Sequence, residues 1–212
     1  MKTSSAQVIR EYGPFPGVDT VHGLTYDQKQ IWFAAGEQLH ALDPDSGTVQ
    51  RSINVVANAG TAFDGEHLFQ IADNRIQKID ARTGTVVNSI PTPTDEVSGL
   101  AWAEGTLWVG TYKDRKIYQM DPASGAVLRT LQSNRYVTGI TWADGQLWHG
   151  TWEDGTSDLR QIDAQTGEVL HRLDMPSGSG VSGLESDGHG QFFCGGGDSG
   201  TIRVVRQPGH DA

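Results

Sequence analysis

One phrase recurs along the chain at intervals near forty residues, and a repeat of that length restricts the fold to solenoids, propellers or arrays. Ser98-Gly99-Leu100-Ala101-Trp102-Ala103-Glu104-Gly105-Thr106-Leu107-Trp108 returns as Thr138-Gly139-Ile140-Thr141-Trp142-Ala143-Asp144-Gly145-Gln146-Leu147-Trp148. Weaker copies begin at His22-Gly23-Leu24, Ala59-Gly60-Thr61 and Ser182-Gly183-Leu184. Nine residues after the five glycines stand Trp32, Phe69, Trp108, Trp148 and Phe192, which makes five units. A second phrase, Asp-x-x-Ser/Thr-Gly, occupies 43–47, 80–84, 121–125 and 163–167, with glycine steps of 37, 41 and 42 residues; the fifth unit lacks it.

Each unit divides into four short apolar or alternating runs separated by turn residues, as in 97–103, 106–111, 116–121 and 126–131. These runs predict strands. Asp-Gly pairs at 64/65, 144/145 and 187/188 suit the first hairpin of a unit, and the Asp-x-x-Ser/Thr-Gly phrase suits the third. No segment carries a sustained 3.6-residue apolar stripe. Five four-stranded units of this length predict an all-β, five-bladed β-propeller of antiparallel blades, one domain over residues 1–212. The fifth unit runs out after three strands, while Val8-Ile9-Arg10 matches the fourth-strand segment Val127-Leu128-Arg129. The N-terminal strand is therefore expected to close the last blade and remove two free edges.

Composition narrows the partners. Sixteen Lys and Arg against 26 Asp and Glu give a net charge of −10, which disfavours nucleic acid. The longest apolar run, Ile31-Trp32-Phe33-Ala34-Ala35, is far short of a membrane span, and Met1 to Ser5 leads into no apolar signal core. The single cysteine, Cys194, makes no internal disulfide. The resulting expectation is a cytoplasmic monomer without nucleic-acid or membrane partners.

In an antiparallel meander, connections alternate between the two faces of the disc. First and third hairpins share one face and are nearly alike in every unit, so Asp43, Asp80, Asp121 and Asp163 read as turn chemistry. Second hairpins and the crossings into each inner strand share the other face, where the units differ and a site is expected. Immediately before the inner-strand glycine stand His22, Ala59, Ser98, Thr138 and Ser182. His22 is the exception, suited to general-base work at the channel mouth. Tyr112 and Trp152, with Lys113, Arg115, Arg135 and Tyr136, are candidate substrate contacts by stacking and ion pairing. Glu153 follows an aromatic residue that would exclude water and raise its pKa, making it a candidate acid or base. His149 replaces Val109 and Gln70 of other units and is a third catalytic candidate. One inserted residue in the fifth unit would align Cys194 with it, as a buried, inert thiol. His22, His149, Glu153 and Asp73 are the side chains suited to a divalent cation, although no metal-spacing motif joins them.

The stretch His22-Gly23-Leu24-Thr25-Tyr26-Asp27 through Leu42-Asp43-Pro44-Asp45-Ser46-Gly47-Thr48-Val49, with its copies over almost the whole chain, resembles the plant-type glutaminyl cyclases, or glutamine cyclotransferases. That resemblance implies a five-bladed propeller. In repeat style the chain is also similar to streptogramin B lyases, which have more blades and a histidine, glutamate and magnesium site on one face. Two positions depart from the cyclases. His22 replaces a glutamine before the first-blade glycine, and Asn58-Ala59-Gly60 stands where their second blade carries a catalytic glutamate. The functional expectation is a small-molecule enzyme of cyclotransferase or lyase type, with its pocket at the channel mouth and without true glutaminyl cyclisation. Its alternative is a noncatalytic propeller that binds a metabolite or partner protein through the same face.

Overall fold

The computed structural model describes residues 1–210. They contain strands and turns without a helix, arranged in five sheets. The second blade comprises Thr61–Phe63, His67–Ala72, Arg75–Asp80 and Val86–Pro91. The third comprises Val97–Ala103, Thr106–Thr111, Lys116–Met120 and Val127–Gln132, within a residue or two of the runs read from sequence. The fourth comprises Tyr136–Ala143, Gln146–Trp152, Asp158–Ile162 and Val169–Asp174. In the first, Leu24–Tyr26 and Thr48–Ala57 flank a continuous element, Ile31–Asp43. That element is two strands. The rings of Phe33 and His40 lie 5.0 Å apart, whereas seven residues of straight strand would separate them by about 23 Å. The chain therefore folds back near Gly36, whose φ is 68°.

The fifth blade joins Leu184–Ser186, Gln191–Gly195 and Ile202–Arg206 to Val8–Tyr12, which pairs antiparallel with Ile202–Arg206. The N-terminal closure expected from sequence is present. Before it, Lys2–Ser5 runs parallel to Val169–Asp174 as a fifth strand on the outer edge of the fourth blade. The first twelve residues thus hold two adjacent blades.

Ring closure is visible in the glycines of the repeated phrase. A Cβ on Gly23, Gly60, Gly99, Gly139 or Gly183 would lie 2.2–2.8 Å from backbone of the next blade, and the fifth contact returns from Gly183 to the His22 carbonyl. Side chains are excluded because five inner strands meet backbone to backbone. The apolar core is correspondingly divided into five wedges, one at each interface between blades. Phe69 stacks on Trp102, Trp108 on Trp142, and Phe193 meets Tyr26, at 5.4, 6.2 and 5.4 Å. Phe193, rather than Phe192, is therefore the fifth copy of the wedge aromatic. The pairing of Cys194 with Leu184, matching His149 with Ile140, confirms the one-residue insertion.

Turn chemistry behaves as read. Asp144 and Gly145 both have positive φ, 51° and 72°, in the fourth blade's first hairpin. In the third hairpins the carboxylates of Asp43, Asp80, Asp121 and Asp163 accept from amides two and three residues on. Hydrogen bonds from the turns hold all four below the usual aspartate range. They serve the fold.

Candidate functional site at the channel mouth

Inner strands begin immediately after the crossings on the variable face, so the residue before each ring glycine is delivered to the channel mouth. His22, Ala59, Ser98, Thr138 and Ser182 all line one cavity of about 250 Å³, together with Asn58, Val97 and Tyr112. A cavity of about 410 Å³ adjoins it, sharing Tyr112, Thr138 and Ser182 and adding Trp152, Asp198 and glycine-rich backbone at 178–180 and 196–197. His22 also faces a third hollow of about 240 Å³ under residues 17–20.

The hydroxyls at this ring also join blades. Ser98 Oγ donates to the Val137 carbonyl at 2.8 Å, and Ser182 Oγ donates to the Val21 carbonyl at 2.6 Å. Thr138 Oγ1 is buried with no partner among the described residues, leaving one hydrogen-bonding group unsatisfied at the wall of both cavities. The His22 imidazole makes no hydrogen bond with the described residues, although its backbone N–H donates to the Ala34 carbonyl. Burial depresses its pKa, opposed by the nearby negative charge of Asp198, so the ring is neutral at pH 7.

Of the nine candidates, His22, Tyr112 and Trp152 line the mouth. Tyr136 lies behind Tyr112, ring on ring at 4.7 Å, and carries the Arg115 guanidinium at 4.5 Å from its centroid. Arg115 bonds Glu153 at 2.6 Å. Glu153 is therefore a member of an ion pair between the third and fourth blades, and the free acid or base expected from sequence is not present. Arg135 is likewise engaged. It donates to Thr151 Oγ1 and to the carbonyls of Glu153 and Thr156, pinning the hairpin that carries Trp152. Lys113 is exposed and pairs with Glu96 at 2.5 Å, away from the two mouth cavities.

His149 does not reach the mouth. It is 1% exposed within the blade, its Nδ1 lies 3.1 Å from the Gly150 carbonyl, and burial lowers its pKa to about 4. Desolvation has fixed it as a neutral core residue. Cys194, at the equivalent position, is fully buried and its thiol is pushed up to about 12 by the same cause. Among the described residues no group of three or more His, Cys, Asp or Glu side chains could hold a metal ion. The divalent-cation site expected from His22, His149, Glu153 and Asp73 is thus not assembled.

Two residues outside the sequence candidates matter. Asp198, in the fifth blade's second hairpin, is the one charged side chain of the larger cavity and accepts from Thr20 Oγ1 at 3.2 Å. Glu185, two residues beyond Gly183, accepts from Thr25 and Thr141 of the flanking blades at 2.7 and 2.5 Å. Burial raises its pKa despite these bonds. Comparing the second position after each ring glycine, Thr25, Ala62, Ala101, Thr141 and Glu185, would have exposed this carboxylate.

Fold and cavity together define a five-bladed β-propeller with a concave mouth at one end of its axis. Residues 72–189 match the PQQ_2 family, described as outer membrane protein assembly factor BamB. The chain belongs to that family. Glutaminyl cyclase from Myxococcus xanthus has the same fold, with a TM-score of 0.80 at 19% identity, each chain covered to 97%. The five-bladed likeness to glutaminyl cyclases read from sequence is therefore shown for the fold. A chain of the mitotic checkpoint complex aligns with a TM-score of 0.54 and 17% identity over 88% of this chain and 61% of its own. An uncharacterised WD repeat-containing protein of Synechocystis sp. (strain ATCC 27184 / PCC 6803 / Kazusa) is 30% identical over 138 residues, 62% of this chain. The chain spans 40% of the length of that curated relative.

Proposed function

We propose that the channel mouth binds a small molecule and that neutral His22 accepts a proton from it in a reaction of cyclotransferase or lyase type. The observation that carries this reading is a cavity lined by all five residues preceding the ring glycines, with one imidazole that is neutral and makes no hydrogen bond with the described residues. A general base needs a neutral form at working pH and an unoccupied lone pair aimed at bound substrate. Tyr112 and Trp152 supply the apolar walls, and Thr138 supplies an unclaimed hydroxyl. Glutaminyl cyclisation is not part of the proposal, because Asn58 and Ala59, which line the wall, stand in the sequence where the resemblance to the cyclases would put a catalytic glutamate. The acting species is taken to be a cytoplasmic monomer without nucleic-acid or membrane partners, consistent with a net charge of −10.

A noncatalytic binding role has one observation in its favour: Glu153 and His149 are engaged elsewhere, which leaves His22 alone of the three catalytic candidates at the mouth. A library of amine-bearing and lactone small molecules, followed by mass spectrometry and thermal shift, separates the two. The proposal expects product from at least one compound, with turnover about 10²–10⁴-fold lower in His22→Ala and binding retained. Saturable binding without product leaves the noncatalytic role, and absence of both overturns the site.

A further inference from the structure

Five of the six tryptophans use a ring face for the fold. Trp32 carries Arg51 at 5.1 Å, Trp102 lies on Phe69, Trp108 and Trp142 lie on each other, and Trp148 meets Phe192 at 4.9 Å. Trp152 alone has neither an aromatic nor a cationic partner among the described residues, and it is the tryptophan that lines the larger mouth cavity. Glycines at 178, 180, 196 and 197 leave its surroundings without bulk.

The charge of that cavity has one sign. Asp198 is its single charged lining residue, and no lysine or arginine lines either cavity. The guanidiniums around it are engaged: Arg115 by Tyr136 and Glu153, and Arg203, which reaches the Gly180 carbonyl at 3.4 Å, by Glu11 at 2.8 Å. Indole is the best cation–π acceptor among side chains, and a carboxylate lining the same cavity, with no cationic partner among the described residues, rejects anions. Tyr112, with one face on Tyr136, presents a second ring to the same space.

We propose that the Trp152 end of the mouth selects an organic cation, an ammonium or alkylated ammonium group held over the indole and opposite Asp198. This rests on the reading of the mouth as a small-molecule site and specifies its ligand class; the distal part of the ligand then lies toward His22 across the shared Tyr112, Thr138 and Ser182 wall.

The test uses the intact chain and three probes of nearly equal shape in isothermal titration: choline, its neutral carbon isostere 3,3-dimethylbutan-1-ol, and the anion 3,3-dimethylbutanoate. The expected order is choline, then the alcohol, with the anion unbound, and a roughly 3- to 30-fold preference for the cation over the neutral isostere. Trp152→Leu and Asp198→Asn each erode that preference, while Trp152→Phe retains part of it. Both Asp198 and Trp152 lie on hairpins outside the ring wedges, and circular dichroism confirms that each variant is folded. Equal affinity for choline and the alcohol overturns the cation assignment while the small-molecule site stands. Preference for the anion overturns it likewise. Failure of all three to bind overturns the cation assignment, whereas the mouth as a small-molecule site stands or falls with the library screen.

Discussion

Glu185 shows how a single side chain acquires behaviour that its neighbours in sequence do not announce. Thr25 and Thr141 bond its carboxylate from the flanking blades, but burial dominates and raises its pKa. The native state therefore holds the proton to higher pH than the unfolded chain does. Stability from this group is full below the unfolded value, near 4.5, and declines as pH rises through the raised native value. Urea denaturation across that window is expected to show wild type losing stability with rising pH relative to Glu185→Gln; parallel curves would rule the linkage out. His22, Tyr112 and Trp152 were legible as mouth residues because units that agree elsewhere disagree at those positions. Glu185 was not, because its position lies inside the strand, past the crossing where the units visibly differ, although the pleat brings the second residue after the glycine to the same face of the inner strand as the glycine itself.

At the scale of the element, the fourth blade's second hairpin shows what the rim charges are engaged in. Sequence places Lys113, Arg115, Arg135 and Glu153 near one another but does not say which charges meet. Here they meet each other: Arg115 with Glu153, Lys113 with Glu96, and Arg135 with hairpin carbonyls. Beneath them Asp158 and Arg160, 5% and 6% exposed, pair at 2.6 Å on one face of a strand, an arrangement their i, i+2 spacing permits. Thr151 bonds the same carboxylate, Asn134 accepts from Arg160, and Arg135 stands 3.7 Å from Asp158. Asp158→Ala would leave two guanidiniums with no carboxylate in that buried site, and is expected to cost about 3–5 kcal/mol. Replacing Asp158 and Arg160 together by Leu and Met is expected to cost much less, because the buried Arg160 charge goes with its partner and the guanidinium that remains, Arg135, is partly exposed and still held by the carbonyls of Glu153 and Thr156. Equilibrium unfolding of the single and double variants measures the difference; equal losses would show that packing, not charge pairing, is what the site contributes.

For the whole molecule, the repeat was sufficient to count blades and to locate their joint, because a ring of wedge-shaped interfaces needs the same residues at each interface. Lys2–Ser5 lay outside that logic. Its four residues are exposed and lack apolar alternation, so nothing in Lys-Thr-Ser-Ser distinguishes a strand from a tail. Yet it pairs with Val169–Asp174, and its immediate continuation fills the fifth blade. The two pieces do different work. Val8–Tyr12 covers Ile202–Arg206 and places Tyr12 in the wedge between the fifth and first blades, 6% exposed, with its hydroxyl bonded to the Pro44 carbonyl at 2.8 Å. Deleting residues 2–12 uncovers an apolar inner edge and opens a wedge, and the variant is expected to aggregate or to unfold at markedly lower temperature. Deleting residues 2–5 removes only an outer strand from a blade that keeps its own four, so the melting temperature is expected to shift by no more than a few degrees. Light scattering and thermal unfolding of the two variants distinguish a closing strand from an added one. If the short deletion were as damaging as the long one, the parallel strand would be part of the closure and the ring would be held across both blades.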